Sequence, residues 1–152
     1  MATDRSAQVT WHGSLMDGGG RIDSVGSGAF GPLDVTWASR TEEPAGRTSP
    51  EELIAAAHAA CFSMALSHEL AGAGTPPEEL KTGATVTFQP GEGITGIHLS
   101  VAARVPGLTP AEFQQMADDA KANCPVSRAL AGTTITFDAS GVAAAVSSSP
   151  PP

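Results

Sequence analysis

The sequence predicts an α+β fold, an antiparallel sheet with a long central helix, on three observations. Strand-like alternation comes in clusters between glycine-rich breaks, rather than singly between helices. One alanine-rich stretch, "SPEELIAAAHAACFSMALS" (49–67), is long enough for several helical turns. The resulting order is strands, a long helix, strands, a helix and a strand. It shows no β-α-β crossovers, which argues against a doubly wound nucleotide fold.

The opening "AQVTWHGSLMDGGGRIDSVGSGAFGPLDVTWASR" alternates small apolar and polar residues and reads as strands near 7–13, 19–25 and 32–39. The polar loop "TEEPAGRTSPEEL" ends in a helix start. Ser49 is the cap, Pro50 the first helical residue, and Glu51 and Glu52 lie at the positive end of the dipole. This helix is expected from Pro50 to Leu70, stopping at "AGAGTPP". "ELKTGATVTFQP" and "GITGIHLSVAARV" form a hairpin around "PGEG". Thr109 and Pro110 open a second helix ending near Asn123, with Phe113, Met116, Ala117 and Ala120 at helical spacing. "CPVSRAL" restarts a short helix with Cys124 at its cap, and "TTITFDA" supplies a last strand. A single domain over residues 1–140 is expected, with a disordered tail at 141–152 ending in "SSSPPP".

The formal charge of −8, from 8 Lys and Arg against 16 Asp and Glu, would repel a phosphate backbone and speaks against nucleic acid as a partner. The amino terminus lacks a signal-peptide apolar run, and no segment approaches about 18 consecutive apolar residues, so no membrane partner and a cytoplasmic location are expected. Five Phe, two Trp and no Tyr make a lean core for a monomer, which favours burial shared with a second copy.

In a reducing compartment two cysteines are as readily two buried thiols as a redox pair. Cys61 lies on the long helix on a line with Ile54 and His68, flanked by His58 and Ala65, at about 100° per residue. It reads either as one more small core residue or as a reactive thiol. Its ordinary pKa of about 8.5 leaves only a few per cent thiolate at neutral pH, so reactivity requires a cation. Arg40, Arg47, Arg21 and His58 are candidates; arginine is preferred because it remains charged in an apolar pocket, and His58 reads as a core histidine more readily than as a base that assists deprotonation. Glu51 could orient one of them, although it lies about 15 Å from Cys61 along the helix axis, or it could be an ordinary first-turn acid. Cys124, at a helix start, has free N–H groups nearby that favour a thiolate, or is a small cap residue. His58 and Cys61 have i, i+3 spacing, but His12, His68, His98 and Cys124 are too scattered for a closed zinc site. No nucleophile elbow or Cys and His signature of acyl transfer is present.

The two motifs "SPEELIAAAHAACFSMALS" and "CPVSRAL", in that order, resemble the OsmC branch of the OsmC/Ohr family of thiol peroxidases, and the similarity extends from about Gln8 to Phe137. The resemblance implies an intertwined homodimer that reduces organic hydroperoxides, and hydrogen peroxide more weakly, with no metal or organic cofactor. It further implies Cys61 as the peroxidatic cysteine, Cys124 as the resolving cysteine, Glu51 as the carboxylate that orients an arginine, and an external dithiol as reductant. Arg40 matches the arginine of OsmC-like members and is preferred. Arg21 matches the Ohr-like position, and the loop departs from the family with Ser49 in place of Asn, an extra Pro44 and an additional Arg47. Competing readings are a non-catalytic dimeric scaffold or small-ligand binder, and a cysteine redox sensor. Retention of Cys61, Cys124, Glu51 and an arginine opposes the first, and the lack of a basic DNA-binding element opposes a transcriptional sensor.

Overall fold

The computed structural model describes residues 1–140, so the tail expected at 141–152 lies outside the described residues. The described residues divide into two compact units, Met1–Leu53 and the part from Ile54 onward.

The first unit holds a three-stranded antiparallel sheet in the order β1 (Ala7–His12), β2 (Gly19–Val25), β3 (Leu33–Val35). The β1–β2 turn is closed by Gly18 N–H donating to the Ser14 carbonyl (2.8 Å) and Asp17 N–H donating to Ser14 Oγ (3.1 Å). A Cβ on Gly18 would run into the backbone oxygens of His12 and Ser14, which cannot yield as a side chain does. Gly18→Ala should therefore lower stability by about 2 kcal/mol, checked by the urea midpoint.

The third strand is shorter than the predicted 32–39, because Thr36 stops it. Thr36 caps a short helix, α1 (Trp37–Thr41): Ser39 N–H donates to Thr36 Oγ1 (3.0 Å) and Thr36 N–H donates to Ser39 Oγ (2.9 Å). Arg40 consequently sits on a helix and not at a strand end. Ser39 Oγ also donates to the Thr48 carbonyl (2.9 Å), and Thr48 bridges to Val35, so the loop before the long helix is tied to α1 and β3. That helix, α2 (Pro50–Gly72), begins as predicted: Ser49 Oγ accepts from Glu52 N–H (3.2 Å), with Glu51 and Glu52 in the first turn.

In the second unit β4 (Glu79–Gln89) and β5 (Gly93–Arg104) form the expected antiparallel hairpin. The order is β4-β5-β6, and β6 (Ile135–Ser140) runs parallel to β5. The chain reaches β6 through α3 (Pro110–Asn123) and α4 (Pro125–Ala129). This corrects the expectation that crossovers are absent: parallel neighbours require a connection of a dozen or more residues, and the two helices supply it. The single crossover leaves the α+β class unchanged. Thr109 forms the predicted α3 cap, reciprocated by Glu112.

The core of this unit lies between α2, β5 and α3. Phe62, Leu66 and Leu70 recur at i, i+4 on α2 and are fully buried with Leu99, Val105, Ala117 and Ala120. Phe62 meets Phe137 of β6 edge-on, ring centroids 5.3 Å apart. On another side of α2, Ala56, Ala57, Ala60 and Met64 are exposed, Met64 at 73%. By length and composition α2 is long and apolar enough to cross a membrane, although its polar residues interrupt any unbroken apolar run, and its Phe62, Leu66 and Leu70 are buried in the core.

Candidate active site

Within the first unit the structure joins two of the sequence-predicted residues. Arg40 Nη2 lies 2.8 Å from Glu51 Oε2, and Arg40 Nε lies 3.1 Å from both carboxylate oxygens. The fork is held between α1 and the first turn of α2 by the Ser39–Thr48 tie. The Glu51 side chain is 8% exposed and that of Arg40 29%, so the carboxylate is largely desolvated while the guanidinium keeps an accessible edge. The Trp37 ring centroid lies 6.0 Å from Arg40 Cζ, at the outer limit of a cation–π contact. The other two candidate arginines do not reach Glu51. Arg21 pairs weakly with Asp34 at 3.5 Å with both side chains exposed, and with Arg47 it lines an open cleft of about 480 Å³ that includes Thr10, His12 and Asp23.

Within the second unit the structure joins the other two. Cys61 and Cys124 are both reduced, Cys61 half-buried on α2 and Cys124 fully buried. Cys124 ends α3, its N–H bonded to the Ala120 carbonyl (2.8 Å), and its φ of −56° and ψ of 125° break the helix before Pro125 starts α4. It is the predicted cap residue by position, but its side chain makes no cap hydrogen bond. The thiol turns to Cys61 instead, and the α4 N–H of Val126 is donated to the Cys61 sulfur. The helix-start donors expected to act on Cys124 thus reach the other thiol.

Burial pushes the Cys61 thiol above its ordinary range. The Val126 N–H opposes this, and the hydrogen bond and charge of Cys124 add to the rise. Among these neighbours the Val126 N–H is the one that favours the thiolate.

His58, one turn before Cys61, is fully buried, and its Nε2 lies 2.8 Å from Ser127 Oγ on α4. Its Nδ1 has no hydrogen-bond partner. The sequence reading placed His58 as a core histidine and passed over Ser127 and Val126, since a serine in a short helix carries no local signal. Burial lowers the His58 pKa from 6.5. Folding therefore favours the neutral ring, and the unfolded chain takes up a proton that the folded one refuses as pH drops below 6.5. Stability should fall on acidification from pH about 7.5 to about 5.5, and fall less in His58→Gln, as urea midpoints at the two pH values would show. Among the described residues no three His, Cys, Asp or Glu side chains gather as a metal site.

An α+β fold that sets two reduced thiols against each other across a helix and the end of a crossover defines a dithiol protein. More particularly, the chain belongs to the OsmC-like protein family, whose model matches residues 43–140, in agreement with the resemblance carried by the two motifs. It is 40% identical over 141 residues to "Peroxiredoxin OsmC" of Escherichia coli (strain K12), covering 91% of this chain and 96% of that protein. It is 35% identical over 91 residues to "Organic hydroperoxide resistance protein" of Xanthomonas axonopodis pv. citri (strain 306), covering 56% and 61%. Among solved structures, an organic hydroperoxide resistance protein OsmC from Legionella pneumophila superposes with a TM-score of 0.69 at 25% identity, covering 90% of this chain and 97% of that one.

Proposed function

We propose that this protein is a thiol peroxidase that reduces organic hydroperoxides, and hydrogen peroxide more slowly, to alcohols or water. The observation that carries the reading is the contact between Cys61 and Cys124, in a chain whose relatives are named for peroxiredoxin and hydroperoxide resistance. The Cys61 thiolate attacks the outer oxygen of ROOH, the O–O bond breaks, and the departing alkoxide takes up a proton as alcohol. Cys61 is left as sulfenic acid. The Cys124 thiol attacks that sulfur, a disulfide forms and water leaves. An external dithiol then reopens the disulfide by exchange.

Since its own surroundings hold Cys61 toward the thiol form, the cycle needs a cation. Arg40 fills that role, aimed by the two-oxygen grip of Glu51. The chain works as a homodimer in the cytoplasm. Support for the dimer comes from the exposed Ala56, Ala57, Ala60 and Met64 on α2 and from β1, exposed along its whole length with Val9 at 59%.

The test adds one equivalent of an alkyl hydroperoxide to reduced protein and maps the products by mass spectrometry, then follows peroxide loss with excess dithiothreitol. A Cys61–Cys124 disulfide and sustained turnover are expected. An unreacted Cys61 would sink the reading in favour of a scaffold, and oxidation without turnover would indicate a sensor. Sedimentation analysis reads the dimer.

A further inference from the structure

We propose that the buried His58–Ser127 hydrogen bond latches α4 onto α2 and thereby holds Cys124 on Cys61 during disulfide formation. His58 and Ser127 are then positioning residues for the resolving step and not for the attack on peroxide. The inference rests on the reading of Cys124 as the resolving cysteine.

Residues 124–127 attach to α2 at three points. The Cys124 thiol meets the Cys61 sulfur, Val126 N–H is donated to that same sulfur, and Ser127 Oγ meets His58 Nε2 at 2.8 Å. Alone, α4 cannot hold its place: with five residues it is far below the length at which an isolated helix persists. Its position therefore depends on its continuity with α3 through Cys124, on these attachments and on apolar packing, to which Val126 contributes from the edge of the core.

The three attachments differ in what happens when Cys61 reacts. Two of them end on the sulfur, and conversion to sulfenic acid places an oxygen on that atom and changes its charge and hydrogen-bonding capacity. The third does not involve the sulfur. His58 lies three residues before Cys61, on the same side of α2, so the His58–Ser127 bond holds α4 over that turn through the interval in which the other two are altered. That interval is when Cys124 must stay within reach.

Burial makes the latch specific. His58 is wholly inaccessible and Ser127 is 6% exposed, so water cannot substitute for either partner. Since Nδ1 has no hydrogen-bond partner, Nε2 carries the one hydrogen bond of the ring. The tautomer protonated on Nε2 suits this environment, because it leaves a bare nitrogen and not an unmatched N–H in the core. In that form the ring donates to Ser127 Oγ, and Ser127→Ala removes its single partner.

The experiment separates the two chemical steps. Reduced wild type, Ser127→Ala, Ser127→Thr and His58→Leu are mixed with an alkyl hydroperoxide in stopped flow. Sulfenic acid on Cys61 is captured with dimedone, and disulfide and sulfinic acid are quantified by mass spectrometry after quenching. Ser127→Ala should form sulfenic acid within about twofold of the wild-type rate but the disulfide roughly tenfold more slowly. With excess peroxide the longer-lived sulfenic acid takes a second oxygen, so sulfinic acid on Cys61 should accumulate. Ser127→Thr, which keeps the hydroxyl, should restore the disulfide rate. His58→Leu, which cannot hydrogen-bond Ser127, should show the same selective slowing as Ser127→Ala and supplies the measurement if the alanine variant does not fold. An unchanged disulfide rate in a folded variant overturns the latch, as does equal slowing of both steps. Failure of the wild type itself to form a Cys61–Cys124 disulfide overturns the peroxidase reading and the latch with it, a result distinguishable because it appears before any substitution.

Discussion

Cys61→Ser should abolish peroxide turnover, a loss of at least about a thousandfold, whereas loss of Cys124 should leave one turnover and then stop. The difference follows from what each atom does. A serine hydroxyl is not appreciably ionised at neutral pH and cannot accept the peroxide oxygen as sulfur can, so the first step has no substitute. Without Cys124 the first step survives and Cys61 sulfenic acid is stranded, trappable with dimedone. Alanine is the better replacement at Cys124, because that position is fully buried and alanine places no polar group there, whereas a serine hydroxyl would be more costly to bury than the thiol. The substitution has a second consequence for Cys61. The Cys124 contact and charge are among the causes that raise its pKa, and the Val126 N–H opposes them. Removing Cys124 takes away one upward push, so the Cys61 pKa should fall and its thiolate fraction at neutral pH should rise. Titration by ultraviolet thiolate absorbance and the rate of iodoacetamide alkylation would both report it. Wild-type turnover in Cys61→Ser would refute the assignment outright.

How much of this was legible beforehand depends on whether the deciding forces are local. The starts of α2 and α3 were readable because Ser49-Pro50 through Glu52 and Thr109-Pro110 through Glu112 satisfy their own orphan N–H groups within a single turn. The hairpin of β4 and β5 was readable for the same kind of reason, its turn falling between two strand-like runs. The end of β3 was missed although its cause is local, since Thr36 and Ser39 cap each other with a serine where a capping box usually has Glu or Gln. The parallel partner of β6 was not readable, because strand pairing across the crossover is decided by packing between distant segments. The same holds for the site. Cys61, Cys124, Arg40 and Glu51 took their roles from motif resemblance, and local reading alone left Cys61, Cys124 and Glu51 a bland alternative each and Arg40 two rival arginines. That Arg40 and not Arg21 or Arg47 meets Glu51 depends on α1, an element the sequence reading had drawn as strand. The Val126 N–H and the Ser127 hydroxyl had no signature at all, since a backbone amide and a common serine gain meaning only when α4 is laid on α2.

Arg40→Met should lower the peroxidase rate about 10²- to 10³-fold, the loss typical when a donor that stabilises developing charge is removed. Arg40→Lys should recover only part of it. Lysine keeps the charge, but it offers a point ammonium where the guanidinium spans both oxygens of Glu51 at 2.8–3.1 Å. Arg40→Met also carries a structural cost, because it leaves a carboxylate that is 8% exposed without this partner, which should lower stability by about 2 kcal/mol, less than for a fully buried pair since Arg40 is partly solvated. These two effects must be separated before any loss of rate is attributed to chemistry. The double variant Arg40→Met, Glu51→Gln does so: with no ionised carboxylate left unpaired, its urea midpoint should return toward the wild type, while its rate should stay as low as that of Arg40→Met. A double variant that regained both would mean that the pair only holds α1 to α2. One that regained stability alone would mean that the guanidinium itself, and not the order it imposes, lowers the barrier for oxygen transfer to Cys61.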